Sequence, residues 1–342
     1  MQFYRLDRRE ALLSWFDANR RDLPWRGTRD PYAIWVSEVM LQQTRVETVR
    51  RYWERWMEVF PTVASLAAAS TEQVLAQWQG LGYYRRARNL HAGARFIVEE
   101  RNGMLPASAH SWREVPGVGP YTAGAIASIA FGEPVAAVDG NVLRVLSRWL
   151  ALEEPVDSRA GRSRIDALAS SLAAGPRPPA WTQALMELGA TLCAPTSPAC
   201  LLCPVAQGCA AAASGDPTRF PKKSKTQAQR SEERTALALR SEGGAEWWVR
   251  RGESGLLAGL WEYPLLDPAA PMPAALPLTD HGIVLHLFTH IRLSVLLRSG
   301  FTHDAVGPLP PGYAEGRWVT ERDREQLPQS TLMRKLRSRL SG

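Results

Sequence analysis

Four cysteines, the only four in 342 residues, fall within "CAPTSPACLLCPVAQGC", from Cys193 to Cys209. Their spacing is C-x6-C-x2-C-x5-C. A fold that keeps this loop must bring four thiols together. In a reducing compartment such thiols hold zinc or an iron–sulfur cluster more often than they form disulfides. Structural zinc sites usually present two close cysteine pairs. Here only Cys200 and Cys203 are close, and no histidine lies beside them. A loop wrapped around a larger cuboidal centre suits this spread better. The expectation is a [4Fe–4S] cluster on Cys193, Cys200, Cys203 and Cys209, with zinc as the alternative. Nothing adjacent resembles a substrate site, so the loop is expected to act as a staple.

The reducing compartment is itself an expectation. "MQFYRLDRREALLSWF" carries charges throughout and lacks the apolar run of a secretory signal. No stretch of the chain approaches the roughly 20 apolar residues of a membrane span. The protein is therefore expected to be soluble, cytoplasmic and without a membrane partner.

Before the cysteines the apolar residues recur at helical spacing. In the stretch 30–60, Trp35, Val39, Val46, Val49 and Trp53 follow that period, and Asp30-Pro31 suits a helix start. Further helical patterns cover 71–79, 84–101, 120–131, 141–152, 160–173 and 180–192. The pattern predicts an all-α domain over residues 1–214. Residues 217–230 then carry five basic and no acidic residues, which reads as an exposed linker, bounded here as 215–232. Beyond it, two apolar runs flank Glu242-Gly243-Gly244, a hairpin signal. Residues 282–300 offer two more strands, and "QSTLMRKLRSRL" reads as a helix. The expectation is an α+β domain over 233–342.

"EVPGVGPYTAGAIASIAF" (114–131) is a helix end, a tight turn and a new helix. Gly117 and Gly119 let the backbone come close to a ligand, and Pro120 suits the first helical position. Backbone N–H groups at such a start form an anion site. An excess of seven positive charges favours a polyanionic partner, although a basic enzyme that binds no polyanion would show the same excess.

This turn resembles the helix-hairpin-helix element that grips one DNA strand through its phosphates. The hairpin, "VDGN" (138–141) and the cysteine spacing appear in the order seen in the endonuclease III superfamily of DNA glycosylases. "PWRGTRDPYAIWVSEVMLQQTRVETV", "GLGYYRRARNL" and "AVDGNVLRVLSR" make the chain similar to the MutY-type adenine DNA glycosylases. The resemblance is strong over residues 5–210. It implies a mainly α catalytic domain with a cluster loop, followed by a Nudix-like α+β domain. It implies a hydrolase that flips adenine out of double-stranded DNA, where adenine faces 8-oxoguanine or guanine, and leaves an abasic site in base excision repair. The enzyme is expected to be monomeric.

The chemistry needs a proton for the departing base and negative charge near the sugar. Glu38 lies among apolar helical neighbours that would keep it protonated, although a lone helical glutamate is ordinarily solvated. The resemblance assigns it the acid role. Asp139 suits a helix N-cap, and the resemblance makes it the stabiliser or nucleophile at the sugar. Asn141 is expected to orient these groups. Tyr121 stands where lyase-competent relatives carry lysine. Independently, residues 1–221 contain no lysine, and the chain holds only Lys222, Lys223, Lys225 and Lys335. A Schiff base with the sugar therefore lacks its side-chain amine.

Further residues follow from the resemblance. Trp25, Arg26 and Gln183 line the adenine pocket. Gln42 and Tyr83 insert near the orphaned base, although Tyr83 also reads as a core tyrosine. Phe288, Thr289 and His290 form the loop that reads 8-oxoguanine, with threonine where serine is usual. The acidic Nudix hydrolase signature is missing. Two other readings stay open: a pyrimidine glycosylase and lyase of the endonuclease III type, and a non-catalytic, metal-stapled DNA-binding protein.

Overall fold

The computed structural model describes residues 2–224, 229–270, 277–302, 308–324 and 326–340, with side chains from residue 8 onward. Packing divides the chain into two compact units, residues 1–68 with 92–226, and residues 69–91 with 227–342. The stretch 69–91 was expected in the helical domain. It packs with the second unit, and its side chains bond there. Trp261 Nε1 donates to Glu72 at 3.1 Å and the Tyr84 hydroxyl donates to the Gln329 carbonyl at 2.6 Å. Arg88 donates to the Ala258 carbonyl.

In chain order the helices up to the cysteines are α1 (Gln2–Asn19), α2 (Pro31–Leu41), α3 (Val46–Val59), α4 (Val63–Ala68), α5 (Thr71–Trp78), α6 (Arg85–Arg101), α7 (Ala109–Trp112), α8 (Pro120–Phe131), α9 (Gly140–Leu150), α10 (Arg159–Ala173) and α11 (Pro178–Ala190). A short α12 (Ala210–Ala213) follows them. One core of the first unit joins Phe16 of α1, Val145 of α9, Ile165 of α10 and Leu185 of α11.

Helix α2 is buried on all sides. Every residue from Tyr32 to Met40 is inside, as expected for a central helix that is apolar all round. Asp30 caps it by accepting the Tyr32 N–H at 3.0 Å, and Pro31 opens it. The helical pattern of 30–60 is not one helix. The chain breaks between α2 and α3, and Gln43 takes a positive φ of 57° there.

The segment expected to be a free tether is fastened as far as Ser224. The Val156 N–H donates to the Lys222 carbonyl at 2.9 Å. The Ser224 N–H donates to Asp157 at 2.9 Å, and Arg219 and Lys222 both pair with Glu153. Residues 225–228 lie outside the described residues.

The second unit contains β1 (Arg230–Arg240), β2 (Glu246–Arg251), β3 (Trp261–Glu262), β4 (Leu265–Leu266), β5 (Thr279–Leu287), β6 (Ile291–Phe301) and β7 (Tyr313–Val319). Among the described residues these form one mixed sheet of order β3-β2-β1-β6-β5, with β4 on β1 and β7 on β2. The Gly-Gly hairpin joins β1 to β2 antiparallel, and Gly244 has the positive φ of 78° that such a turn asks for. Strands β1 and β6 are parallel along their whole lengths. Two helices close the unit, α13 (Glu321–Arg324) and α14 (Thr331–Leu340), and Leu332, Met333 and Leu336 of α14 cover one face of the sheet.

Candidate active site

Glu38 sits at the centre of the buried helix α2 and is 5% exposed. Tyr121, in the first turn of α8, donates its hydroxyl to Glu38 Oε2. Loss of water raises the Glu38 pKa to about 7. The Tyr121 hydrogen bond and the Arg26 charge oppose this rise, while the Asp139 charge adds to it. The Tyr121 hydroxyl is itself held well above its ordinary value, first by burial and then by the two carboxylates. Glu38, Tyr121 and Asp139 therefore act on one another inside one dry region.

Asp139 is the N-cap of α9. Its Oδ1 accepts the Val142 N–H at 2.7 Å and its Oδ2 accepts from Asn141 Nδ2 at 3.0 Å. Burial raises its pKa, while those hydrogen bonds and the charge of Arg144 oppose the rise. Asn141 in turn accepts from Arg144 Nη2 at 2.8 Å. The two carboxylates thus share a region but differ in surroundings, one among apolar side chains and one at a helix start.

Two glycines set these positions. A Cβ at Gly124 of α8 would lie 2.2 Å from the Ala136 carbonyl oxygen. Gly124 lets the extended segment leading to Asp139 pass against α8. A Cβ at Gly189 of α11 would lie 2.6 Å from Asn141 Cβ. That close approach seats the first turn of α9.

Arg26 and Trp25 lie on a short 3-10 turn, Pro24–Arg26. Trp25 is buried edge-on against Trp53, with ring centroids 6.1 Å apart. Arg26 Nη2 donates to Glu187 Oε2 at 2.6 Å, and Arg21 reaches the same carboxylate through Nε and Nη2, each at 2.8 Å. Glu187 did not stand out in the sequence, because a single acidic residue on α11 carries no motif. Gln183, one turn earlier, donates to the Pro179 carbonyl at 3.2 Å. Gln42 caps the C-terminal end of α2 and donates to Thr122 at 3.3 Å. In the hairpin, Gly117 has φ 79°, and Gly119 is the N-cap of α8 without a side-chain cap. Both glycines are exposed while Val118 between them is buried, so the turn presents its backbone outward.

The four cysteines surround a recess also lined by Leu188, Leu192 and Pro198. Burial pushes the Cys203 thiol up to about 11, and the other three thiols add to the rise. Four thiols that repel one another's charge on ionising fit a cationic centre placed among them. Among the described residues, no group of three or more His, Cys, Asp or Glu side chains is set to hold a single metal ion. Arg148, which the sequence did not single out, is buried behind the loop. It donates to Cys193 Sγ at 3.2 Å and to the Ala194, Pro195 and Phe220 carbonyls at 2.8–3.0 Å.

In the second unit, Tyr83 is 52% exposed whereas Tyr84 is 6% exposed. The core reading therefore fits Tyr84 and not Tyr83. Gly82 and Tyr83 both have positive φ, 72° and 48°, a costly conformation for tyrosine that is typical of functional positions. Phe288, Thr289 and His290 form the turn between β5 and β6, closed by the Phe288 N–H donating to the Ile291 carbonyl at 2.8 Å. The Tyr83 and Thr289 hydroxyls lie 3.4 Å apart, across 206 positions of sequence.

Both units have counterparts among known proteins. The HhH-GPD superfamily of base excision DNA repair proteins matches residues 36–164, and the NUDIX domain matches residues 235–339. The adenine DNA glycosylase of Homo sapiens is 39% identical over 96% of this chain and 73% of its own length. That of Arabidopsis thaliana is 42% identical over 75% of this chain and 47% of its own length. Among solved structures, a thermostable thymine-DNA glycosylase is 27% identical with a TM-score of 0.57, covering 62% of this chain and 98% of its own.

Proposed function

The chain belongs to the adenine DNA glycosylases of the HhH-GPD superfamily, and from that membership we propose how its residues remove adenine and which mispairs it serves. The enzyme hydrolyses the N-glycosidic bond of adenine in DNA during base excision repair. The observation that carries the mechanism is the buried Glu38, protonated up to about pH 7 and bonded by Tyr121 rather than by an amine.

Glu38 gives its proton to the adenine ring as the bond to the sugar breaks. The sugar becomes an oxocarbenium-like cation, and Asp139 stabilises it by charge or by transient attack. Water adds to the sugar carbon and loses its proton to the Glu38 carboxylate, which restores the acid. Asn141 holds Asp139 through the 3.0 Å hydrogen bond. Trp25, Arg26 and Gln183 bound the base, and Gln42 faces the duplex beside it. Tyr121 cannot form a Schiff base, and Lys222 is engaged by Glu153, so the product is an intact strand with an abasic site.

The opposite base is 8-oxoguanine or guanine. The exposed Thr289 hydroxyl beside Tyr83 supports discrimination of the lesion, whose N7 carries a proton where guanine has only an acceptor. Phe288 and His290 frame that hydroxyl. The exposed backbone at Gly117 and Gly119 supports a grip on a DNA phosphate. The donor set of Cys193, Cys200, Cys203 and Cys209 fits a [4Fe–4S] cluster, which would staple the end of the helical unit. The same reading expects a monomer acting in the cytoplasm.

Glu38→Ala tests the acid role. The variant is expected to bind duplex containing adenine opposite 8-oxoguanine and to release no adenine. Release at the wild-type rate contradicts the assignment. Thr289→Ala is expected to lose preference for 8-oxoguanine over guanine while still removing adenine.

A further inference from the structure

We propose that Glu187 is a positioning residue for the base-release step: it fixes Arg26 at the edge of the adenine pocket and weakens the pull of the Arg26 charge on Glu38, so that Glu38 keeps its proton. This rests on the assignment of Glu38 as the acid.

The geometry is a built clamp. Glu187 lies near the end of α11, and its side chain is fully buried. It accepts four hydrogen bonds: the Arg21 backbone N–H at 3.1 Å, Arg21 Nε and Nη2 at 2.8 Å each, and Arg26 Nη2 at 2.6 Å. Arg26 Nη1 closes the ring by donating to the Arg21 carbonyl at 2.9 Å. One carboxylate thus folds the segment from Arg21 to Arg26 onto α11, one helical turn from Gln183.

The clamp also has an electrostatic consequence. The groups that act on Glu38 come from three elements. Tyr121 donates from α8, Asp139 adds negative charge from the N-cap of α9, and Arg26 adds positive charge from the Pro24–Arg26 turn. Arg144, also on α9, faces Asp139. A bare arginine at this place would draw the proton off Glu38. Burial alone would raise the Glu187 pKa, but hydrogen bonds from Arg21 and Arg26 outweigh it and hold the carboxyl at about 2. Glu187 is therefore ionised across the working range and offsets Arg26 throughout.

The pH profile of single-turnover adenine release separates this role from a merely structural one. Wild type is expected to lose activity as pH rises through about 7, where Glu38 ionises. Glu187→Gln keeps the side-chain volume and one acceptor oxygen, enough for the Nη2 groups of both arginines, but removes the charge and the second acceptor. Its alkaline limb is expected to move about one pH unit lower, from the usual effect of a nearby charge, which is about a fivefold loss of rate at pH 7. Glu187→Asp restores the charge and should bring the limb back toward wild type. Arg21→Gln removes a partly exposed cation and leaves Glu187 to Arg26 alone, so its limb should move to higher pH. An unmoved limb in Glu187→Gln overturns the proposal. If that variant does not fold, an unmoved or lowered limb in Arg21→Gln does so. The underlying reading fails differently, through a wild type without an alkaline limb or a Glu38→Gln variant that still releases adenine.

Discussion

At the residue scale, the burial of Glu38 carries a cost in stability, and the acid role proposed for it gives that cost a use. Its pKa in the fold, about 7, lies above the ordinary carboxylate value of 4.5. Between those values the folded state holds a proton that the unfolded chain has lost, so stability falls as pH rises through that window. Above pH 7 the full penalty is present, about 3 kcal/mol for a shift of this size. Glu38→Gln is therefore expected to raise the melting temperature at pH 8 and to change it little at pH 4.5, while abolishing adenine release. An equal change at both pH values, followed by thermal melts, would show that the glutamate is not ionising within the fold. Tyr83 carries a second cost, its positive φ of 48°. Tyr83→Gly should relieve that strain, leave the fold stable and weaken duplex binding, measured by titration against labelled DNA.

At the element scale, helix starts and close approaches place the chemistry. The sequence made several of these legible. Asp30-Pro31 marks the start of α2, and Pro120 marks that of α8. Asp139 reads as a cap and is one. These signals are local, so a single sequence displays them. What escaped was non-local. The break at Gln42–Arg45 interrupts a continuous apolar period, which by itself favours one long helix. The clamp of Glu187 on Arg21 and Arg26 joins residues more than 160 positions apart. Arg148 behind the cysteine loop, 45 positions from Cys193, and the pairing of Tyr83 with Thr289, 206 positions apart, are likewise non-local. Gly189 shows how such contacts bear on activity. Gly189→Ala would press a Cβ to within 2.6 Å of Asn141 Cβ and about 3 Å of its carbonyl. Overpacking of this kind costs about 1–3 kcal/mol. The variant should melt earlier and release adenine more slowly, because α9 carries Asp139 and Asn141 with it.

At the scale of the whole molecule, the chain comprises a helical unit with a cysteine loop and a sheet unit with an exposed turn at residues 288–290. The division at 226/227 falls within the linker read from the sequence, but the membership of 69–91 was not legible, because α5 and the start of α6 look like any other helices of the first 200 residues. Their bonds to Ala258, Trp261 and Gln329 appear only in three dimensions. The staple is testable directly. The purified protein should be brown and carry about four iron atoms per chain, as a [4Fe–4S] centre requires. One zinc per chain would replace the cluster while leaving the carboxylate chemistry in place. The most direct test of the central claim is one panel of duplexes incubated with the enzyme and borohydride, in which adenine, thymine or a damaged pyrimidine faces guanine or 8-oxoguanine. Free adenine alone, with an uncut abasic strand and no trapped covalent adduct, is the expected result. Release of a pyrimidine, or an adduct as strong as that of a lyase, would contradict it.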